Sequence, residues 1–373
     1  MIIAWIVLVA SAAWVGFAYI GYPVVLALLA RVSPRPIRRA DVAPSLTIVI
    51  AVHNGATRLG RKLEDTLALS YPRPFEVVVA SDGSTDGTDD VARAMAARGV
   101  RLVRNELRQG KEAAQAAAIA SASTDVIVFT DLAAVLSPDA LSAIVRPFAD
   151  PRVGCVSSED RVANEGGEGT YVRMEMALRR WESEATTLVG LSGSFFAIRR
   201  ELCDPWPSEL ASDFRCALET ARRGLRAVSE PAATASFGVI ESPAHEWRRK
   251  VRTVRRGIAV LSAYRRLLHP RYGRVAFSLW GHKVARFTAP FALVLLLLAS
   301  AVAATRDALA AVLLAAQLAG YALGVAALLV PRVARFGPAR LISFFLLVNA
   351  SMLAAWRYHW RGERAVIWEP TRR

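Results

Sequence analysis

Hydrophobic positions fall along this chain in three regimes. Residues 1–30 form an almost unbroken apolar run, long enough at about 1.5 Å per helical residue to cross the roughly 30 Å hydrocarbon layer of a bilayer. After a proline-broken linker at 33–44 the pattern changes to short β-type runs alternating with alanine-rich helical stretches, which predicts a mostly parallel α/β sheet. Runs at 46–52, 75–80, 100–104 and 126–130 are the expected strands, nearly unbroken as buried parallel strands require. Apolar sequence then returns at 289–304, 309–330 and 341–355, and only the middle stretch reads as long enough to span unaided.

Between these regimes lie two amphipathic patterns. Tyr171, Met174, Leu178, Trp181 and Ala185 recur at helical spacing within 169–188, which predicts a helix packing that face on the core. Beyond residue 241, Trp247, Val251, Val254, Ile258, Leu261 and Tyr264 punctuate an arginine-dense segment, the pattern of a helix lying at a membrane interface or of a solvated basic face.

Composition sharpens the membrane reading. A hydrophobic fraction of 54% and mean hydropathy of +0.30 are high for a soluble chain. The formal charge of +15 admits nucleic acid or anionic lipid as partner. Its placement decides: basic residues collect beside apolar runs, at 31–39, 248–256 and 332–340, as in loops kept on the cytoplasmic side, so nucleic acid is set aside. No basic residue precedes the first apolar run, which fits an uncleaved anchor rather than a secretory signal. Arg31, Arg35, Arg38 and Arg39 follow it and predict an outside N-terminus with the next segment in the cytosol. Three full crossings after that segment would leave the arginine-rich tail outside, so one of the shorter apolar stretches is expected to be re-entrant or to lie in the interface. Cys155, Cys203 and Cys216 form no Cys-x-x-Cys pair, which excludes a disulfide framework or zinc site and leaves them as small buried residues.

The expected organisation is an anchor at 1–30, a catalytic domain at 41–240, basic amphipathic interfacial helices at 241–287, a hydrophobic bundle at 288–356 and a basic tail at 357–373. Open α/β sheets bind ligands at the carboxyl ends of their strands. Four such ends carry polar groups: His53-Asn54-Gly55, Asp82-Gly83-Ser84-Thr85-Asp86-Gly87, Arg108-Gln109-Gly110-Lys111 and Thr130-Asp131. A carboxylate such as Asp82 can accept from a base N–H or a ribose hydroxyl, and its glycine-rich turn lets backbone approach a ligand. Each alone has a plain structural reading: the Asp-Gly-Ser-Thr-Asp-Gly run as a turn, Gly110-Lys111 as a helix start, His53 as a satisfied half-buried ring.

Their order and spacing give more. From Ser45 to about Arg286 the chain resembles the large family 2 of inverting glycosyltransferases with the GT-A fold. The likeness runs through the 47–54 strand, the 77–88 strand and turn, Gln109-Gly110-Lys111, Phe129-Thr130-Asp131, Ser137-Pro138-Asp139, Gly193, Phe196-Ala197-Ile198, Ser212-Asp213-Phe214 and Ala221-Arg222-Arg223-Gly224. The resemblance implies a GT-A domain with transmembrane helices at both ends, moving a sugar from a nucleotide-diphosphate sugar to a lipid-linked or polysaccharide acceptor at a multi-pass cytoplasmic membrane. It implies Asp82 at the base, with His53 and Asn54 beside it, Asp131 near ribose and metal, and Asp213 as catalytic base. Lys111, Gly193, Arg252, Arg255 and Arg256 are the candidates for the diphosphate or acceptor.

Four departures qualify it. The Asp-x-Asp element reads Asp131-Leu132-Ala133, so the second carboxylate for a Mg²⁺ or Mn²⁺ ion is missing and metal dependence stays open. Ser81 and His53 stand where Asp and Tyr are commoner, and Ser212 replaces an acidic neighbour of Asp213. No Trp follows Arg252-Thr253-Val254-Arg255-Arg256, which favours single-sugar transfer over chain polymerisation. A catalytically impaired relative that binds nucleotide sugar or a partner is the competing expectation. A nicotinamide-dependent oxidoreductase fails because 51–55 lacks the Gly-x-Gly-x-x-Gly turn.

Overall fold

The computed structural model describes residues 1–162, 167–237 and 243–363. An eight-stranded sheet runs in the order β3-β2-β1-β4-β7-β6-β8-β5. Its strands are β1 Leu46–Val52, β2 Glu76–Asp82, β3 Val100–Asn105, β4 Val126–Thr130, β5 Val135–Leu136, β6 Val153–Val162, β7 Phe195–Arg199 and β8 Arg226–Phe237. The first four match the expected runs. They pair in parallel, β3 with β2, β2 with β1 and β1 with β4. Beyond β4 the sheet becomes mixed, with β7 antiparallel to β4 and β6, and β5 antiparallel to β8. The second half escapes a hydrophobic pattern because β6 and β8 carry serine, glutamate and alanine at buried positions.

Alternation along β1 builds two cores. Ile48, Ile50 and Val52 pack with Leu59 and Leu63 of the Ala56–Leu67 helix on one face. Val49 and Ala51 pack with Ala114 and Ala118 of the Lys111–Ala120 helix on the other. In register, Val52 lies beside Ser81, Ser81 beside Arg104 and Asp82 beside Asn105, so the polar strand ends share one rim.

Among the described residues four helices are long and apolar enough to cross a membrane: Ile2–Val32, Arg274–Ala304, Ala308–Leu329 and Gly337–Trp360. This corrects the expectation that only the middle C-terminal stretch suffices. The 289–304 run is the end of a 31-residue helix that begins at Arg274. The polar residues of its first half hid it: His282 pairs with Glu182 at 2.7 Å and with Glu175 at 3.3 Å, and Arg286 pairs with Glu175. Residues 274–287 thus belong to one of these long apolar helices and are separate from the basic Pro243–Ala263 helix.

Glu182 also accepts from the Tyr22 hydroxyl at 2.7 Å. The Ile2–Val32 helix, the Gly167–Ala185 helix and the Arg274–Ala304 helix therefore meet on one buried polar cluster. Leu178 and Ala185 are buried as expected, but Met174 is exposed, because the buried stripe runs through Glu182 and toward the membrane helices. The side chain of Tyr171 lies outside the description.

Gly337–Trp360 runs alongside the basic Pro243–Ala263 helix. Lys250 sits 5.2 Å over the Phe344 ring, Val254 and Ile258 pack with Val348, Met352 and Ala355, and Arg255 sits 4.3 Å over Tyr358. The Glu363 carbonyl accepts from Arg255 at 3.0 Å, so the start of the basic tail lies beside the basic helix. The rest of that tail, 364–373, is outside the described residues.

Gly281 packs flat on Tyr22: a Cβ there would lie 1.9 Å from the ring. Gly281→Ala is expected to destabilise the helix junction by about 1–3 kcal/mol, read as a lower melting temperature of the detergent-purified protein; an unchanged melting temperature would contradict this packing.

Candidate active site

At the sheet rim, three loops are stitched together by side chains the sequence singled out. Asn54 adopts φ 49°, and its Oδ1 accepts from the Thr85 N–H at 2.8 Å while its own N–H donates to Ser84 Oγ at 3.2 Å. His53 Nδ1 lies 2.7 Å from the Asp82 carbonyl. The Asp82 carboxylate, 1% exposed, accepts from the backbone N–H groups of Gln109 and Gly110, each at 2.8 Å. At Gly83, with φ 60°, a Cβ would lie 2.7 Å from the Arg108 nitrogen, so only glycine permits this close crossing of loops. Asp82 thereby fixes the turn that launches the Lys111–Ala120 helix and aims Lys111.

Lys111 points into a cavity of about 410 Å³ between the sheet, the basic helix and the membrane helices. Its ammonium lies 2.6 Å from Asp131 Oδ1. Burial works against that charge, but Asp131, with Glu112 and Asp213 behind it, holds the Lys111 pKa above its ordinary value. Asp131 is held at the end of β4 by its N–H, which donates to the Ser194 carbonyl at 2.9 Å. Beneath it, buried Lys62 donates to Thr130 Oγ1 at 3.0 Å and to the Ala134 carbonyl at 2.6 Å, and burial brings its pKa down to about 8.

Asp213 lies in the first turn of the Ser212–Arg222 helix. Its Oδ1 accepts from the Phe214 N–H at 2.8 Å, and its Oδ2 faces Gly193, where a Cβ would come within 3.1 Å of it. One oxygen is thus fixed while the other faces the cavity wall that glycine leaves open. Arg256 reaches the same region by pairing with Glu112, which also accepts from the Ser212 N–H at 3.3 Å.

Asp131, Asp213, Lys111, Gly193, Arg252 and Arg256 line the cavity together. His53, Asn54 and Asp82 lie outside that lining, at the neighbouring rim, where the Asp82 oxygens accept from the Gln109-Gly110 loop. Arg255 also lies outside that lining and turns to Tyr358 and the Glu363 carbonyl. Sequence reading missed Asp160, which accepts from Ser192 Oγ at 2.5 Å and from Ser194 Oγ at 3.2 Å and lies 3.7 Å from Arg179. It also missed Glu175, which no local pattern marks, and His282, Lys283 and Arg286, for which ionisable residues inside an otherwise apolar run were a readable signal.

A divalent ion fits this donor set poorly. A hard cation needs several oxygen ligands, yet Ala133 replaces the second carboxylate of the element and one Asp131 oxygen is paired with Lys111. Among the described residues no group of three or more His, Cys, Asp or Glu side chains is placed to hold a metal.

Residues 47–205 match the Glycosyl transferase family 2 profile. Over 133 residues the chain is 33% identical to the validoxylamine A glucosyltransferase of Streptomyces hygroscopicus subsp. limoneus, covering 35% of this chain and 29% of that one. Over 102 residues it is 35% identical to an N-acetylglucosaminyltransferase of Rhizobium leguminosarum bv. trifolii, covering 26% and 54%. The chain thus spans about a third to a half of the length of these curated relatives. In three dimensions it is similar to a mannosyltransferase from Pyrobaculum calidifontis solved with GDP-Man and Mn²⁺, with a TM-score of 0.75 and 25% identity over 96% of this chain and 100% of that one. The match over residues 47–205 and this whole-chain likeness agree: the chain is similar to glycosyl transferase family 2 proteins over that segment and has a GT-A fold.

Proposed function

We propose that the protein transfers a single sugar from a nucleotide-diphosphate sugar to a membrane-associated acceptor, with inversion at the anomeric carbon and Asp213 as general base. The observation that carries this reading is Asp213 itself, whose Oδ1 is held by the Phe214 N–H while Oδ2 faces Gly193 in the cavity that Lys111 and Asp131 also line. In the displacement, an acceptor hydroxyl gives its proton to Asp213 as its oxygen bonds to the anomeric carbon. The bond from that carbon to the donor's diphosphate breaks, and the electron pair leaves on phosphate. Lys111, Arg252 and Arg256 offset the charge that develops there. The base and ribose occupy the rim beside His53, Asn54 and Asp82, with Asp82 acting by holding Gln109 and Gly110 against the ligand. The absence of Trp from the Arg252–Gly257 stretch supports transfer of one sugar rather than chain growth.

The catalytic domain faces the cytosol in this reading, because Arg31, Arg35, Arg38 and Arg39 and the basic helix flank it, and anionic lipid draws that helix to the surface. Gly337–Trp360 then lies along the interface beside the basic helix, which keeps the arginine-rich tail on the same side as the domain, in keeping with the Arg255 to Glu363 contact.

The closed Lys111–Asp131 pair and Ala133 favour one rival, a protein that binds nucleotide sugar without turning it over. Transfer assays with a panel of nucleotide sugars, alongside calorimetry with nucleoside diphosphates, separate the two: binding with no transfer to any acceptor decides for the rival.

Asp213→Asn is expected to lower the transfer rate by about 10²–10⁴-fold while calorimetric affinity for the nucleoside diphosphate is kept; full activity in the variant would remove Asp213 from this role. Ala133→Asp restores the second carboxylate, and we expect it to raise Mn²⁺ affinity in calorimetry by about tenfold or more. Equal Mn²⁺ affinity in both forms would mean that Ala133 is not what weakens the ion's site.

A further inference from the structure

The cavity's charges are almost all committed to one another. Lys111 pairs with Asp131, Arg256 with Glu112, Arg179 with Asp160 and Arg286 with Glu175, while Arg249 and Lys250 pair with Glu246. Asp213 and Lys283 stand apart, for neither makes an ion pair with a described residue. The first is accounted for as the base. Lys283 is not: Glu175 and Glu182 act on its charge but neither lies within ion-pair distance, and an ammonium in such a wall gains from a ligand that brings a closer counter-charge.

Its placement is built. Lys283 lies in a π-helical stretch, Leu279–Val284, the kind of helical irregularity that recurs at functional sites. Its neighbours are fixed, with His282 held by Glu182 and Glu175 and Arg286 by Glu175. The Lys283 ammonium lies 5.0 Å over the ring of Phe214, the residue after the base, and 3.0 Å from where a Cβ of Gly190 would stand. Close to these charges the lining turns apolar, with Val172 from the Gly167–Ala185 helix, Phe287 from the Arg274–Ala304 helix and Val348 and Met352 from the Gly337–Trp360 helix.

We propose that Lys283 binds a phosphate that joins an apolar lipid chain to the acceptor's headgroup, and so selects phosphate-linked lipids as acceptors. This rests on the glycosyltransferase reading and names the acceptor class for it. The chain lies against Phe287, Val348 and Met352, the phosphate meets Lys283, and the headgroup hydroxyl beyond it reaches Asp213. No bond to the phosphate is made or broken.

Binding of farnesyl phosphate, farnesol and inorganic phosphate to the full chain in detergent tests this. Farnesyl phosphate should bind at least about tenfold more tightly than farnesol, the scale of one charge-assisted contact. Inorganic phosphate should bind far more weakly than farnesyl phosphate. Lys283→Met and Lys283→Gln should erase the preference for farnesyl phosphate over farnesol, and Lys283→Arg should keep it. Equal binding of farnesol and farnesyl phosphate to the wild type, or a preference that survives Lys283→Met, overturns the proposal. Inorganic phosphate binding as tightly as farnesyl phosphate makes this a free-phosphate site and overturns it too. Nucleoside diphosphate affinity is measured on the same samples: its absence in the wild type would sink the glycosyltransferase reading, whereas its presence with no phosphate preference would sink only the role of Lys283.

Discussion

Glu175 and Glu182 lie on a helix packed against the sheet, and their partners, His282 and Arg286, come from a long apolar helix a hundred or more residues later. Burial alone would raise the Glu175 pKa, but Arg286 and His282 outweigh it and hold the carboxyl well below the usual range. Removing one partner of such a buried set leaves an uncompensated charge, with a penalty of about 3–5 kcal/mol. The cluster therefore fixes the position of the Arg274–Ala304 helix against the sheet. Everything on the membrane side of the cavity, from Lys283 to Phe287, takes its place from that contact.

A second set of contacts does the same work on the sheet side. Asp82 binds two backbone N–H groups of the Gln109-Gly110 turn, and that turn sets Lys111 against Asp131. Glu112, next in sequence, ties the same helix to Arg256 and to the start of the helix that bears Asp213. The Asp131 side and the Asp213 side of the cavity are thus joined through neighbouring residues, Lys111 and Glu112. The Lys111–Asp131 pair also bears on the ion question, since an ammonium stands against the one carboxylate that the Asp-x-Asp element keeps.

Much of the donor half was legible in the chain. Continuous Val and Ile runs can only be buried parallel strands when they alternate with helical stretches, so β1 to β4 and the polar residues at their ends follow from local pattern. The resemblance pointed to Asp131 and Asp213, and Lys111, Gly193, Arg252, Arg255 and Arg256 were candidates beside them; all but Arg255 line one cavity. Asp82 was found by the same pattern, but its direction was not, because a strand-end carboxylate can turn to a ligand or to a neighbouring loop and only the loop's position decides.

By itself, then, the sequence determined the alternating sheet, the apolar spans and the placement of basic residues beside them, because these are properties of contiguous residues and of burial period. Only the tertiary structure decided which of the arginines reach the cavity, that Arg255 turns away to Tyr358, and that a helix with His282, Lys283 and Arg286 in it continues into a membrane segment. Those outcomes depend on charges paired across a hundred residues or more, and no local pattern encodes a partner at that distance.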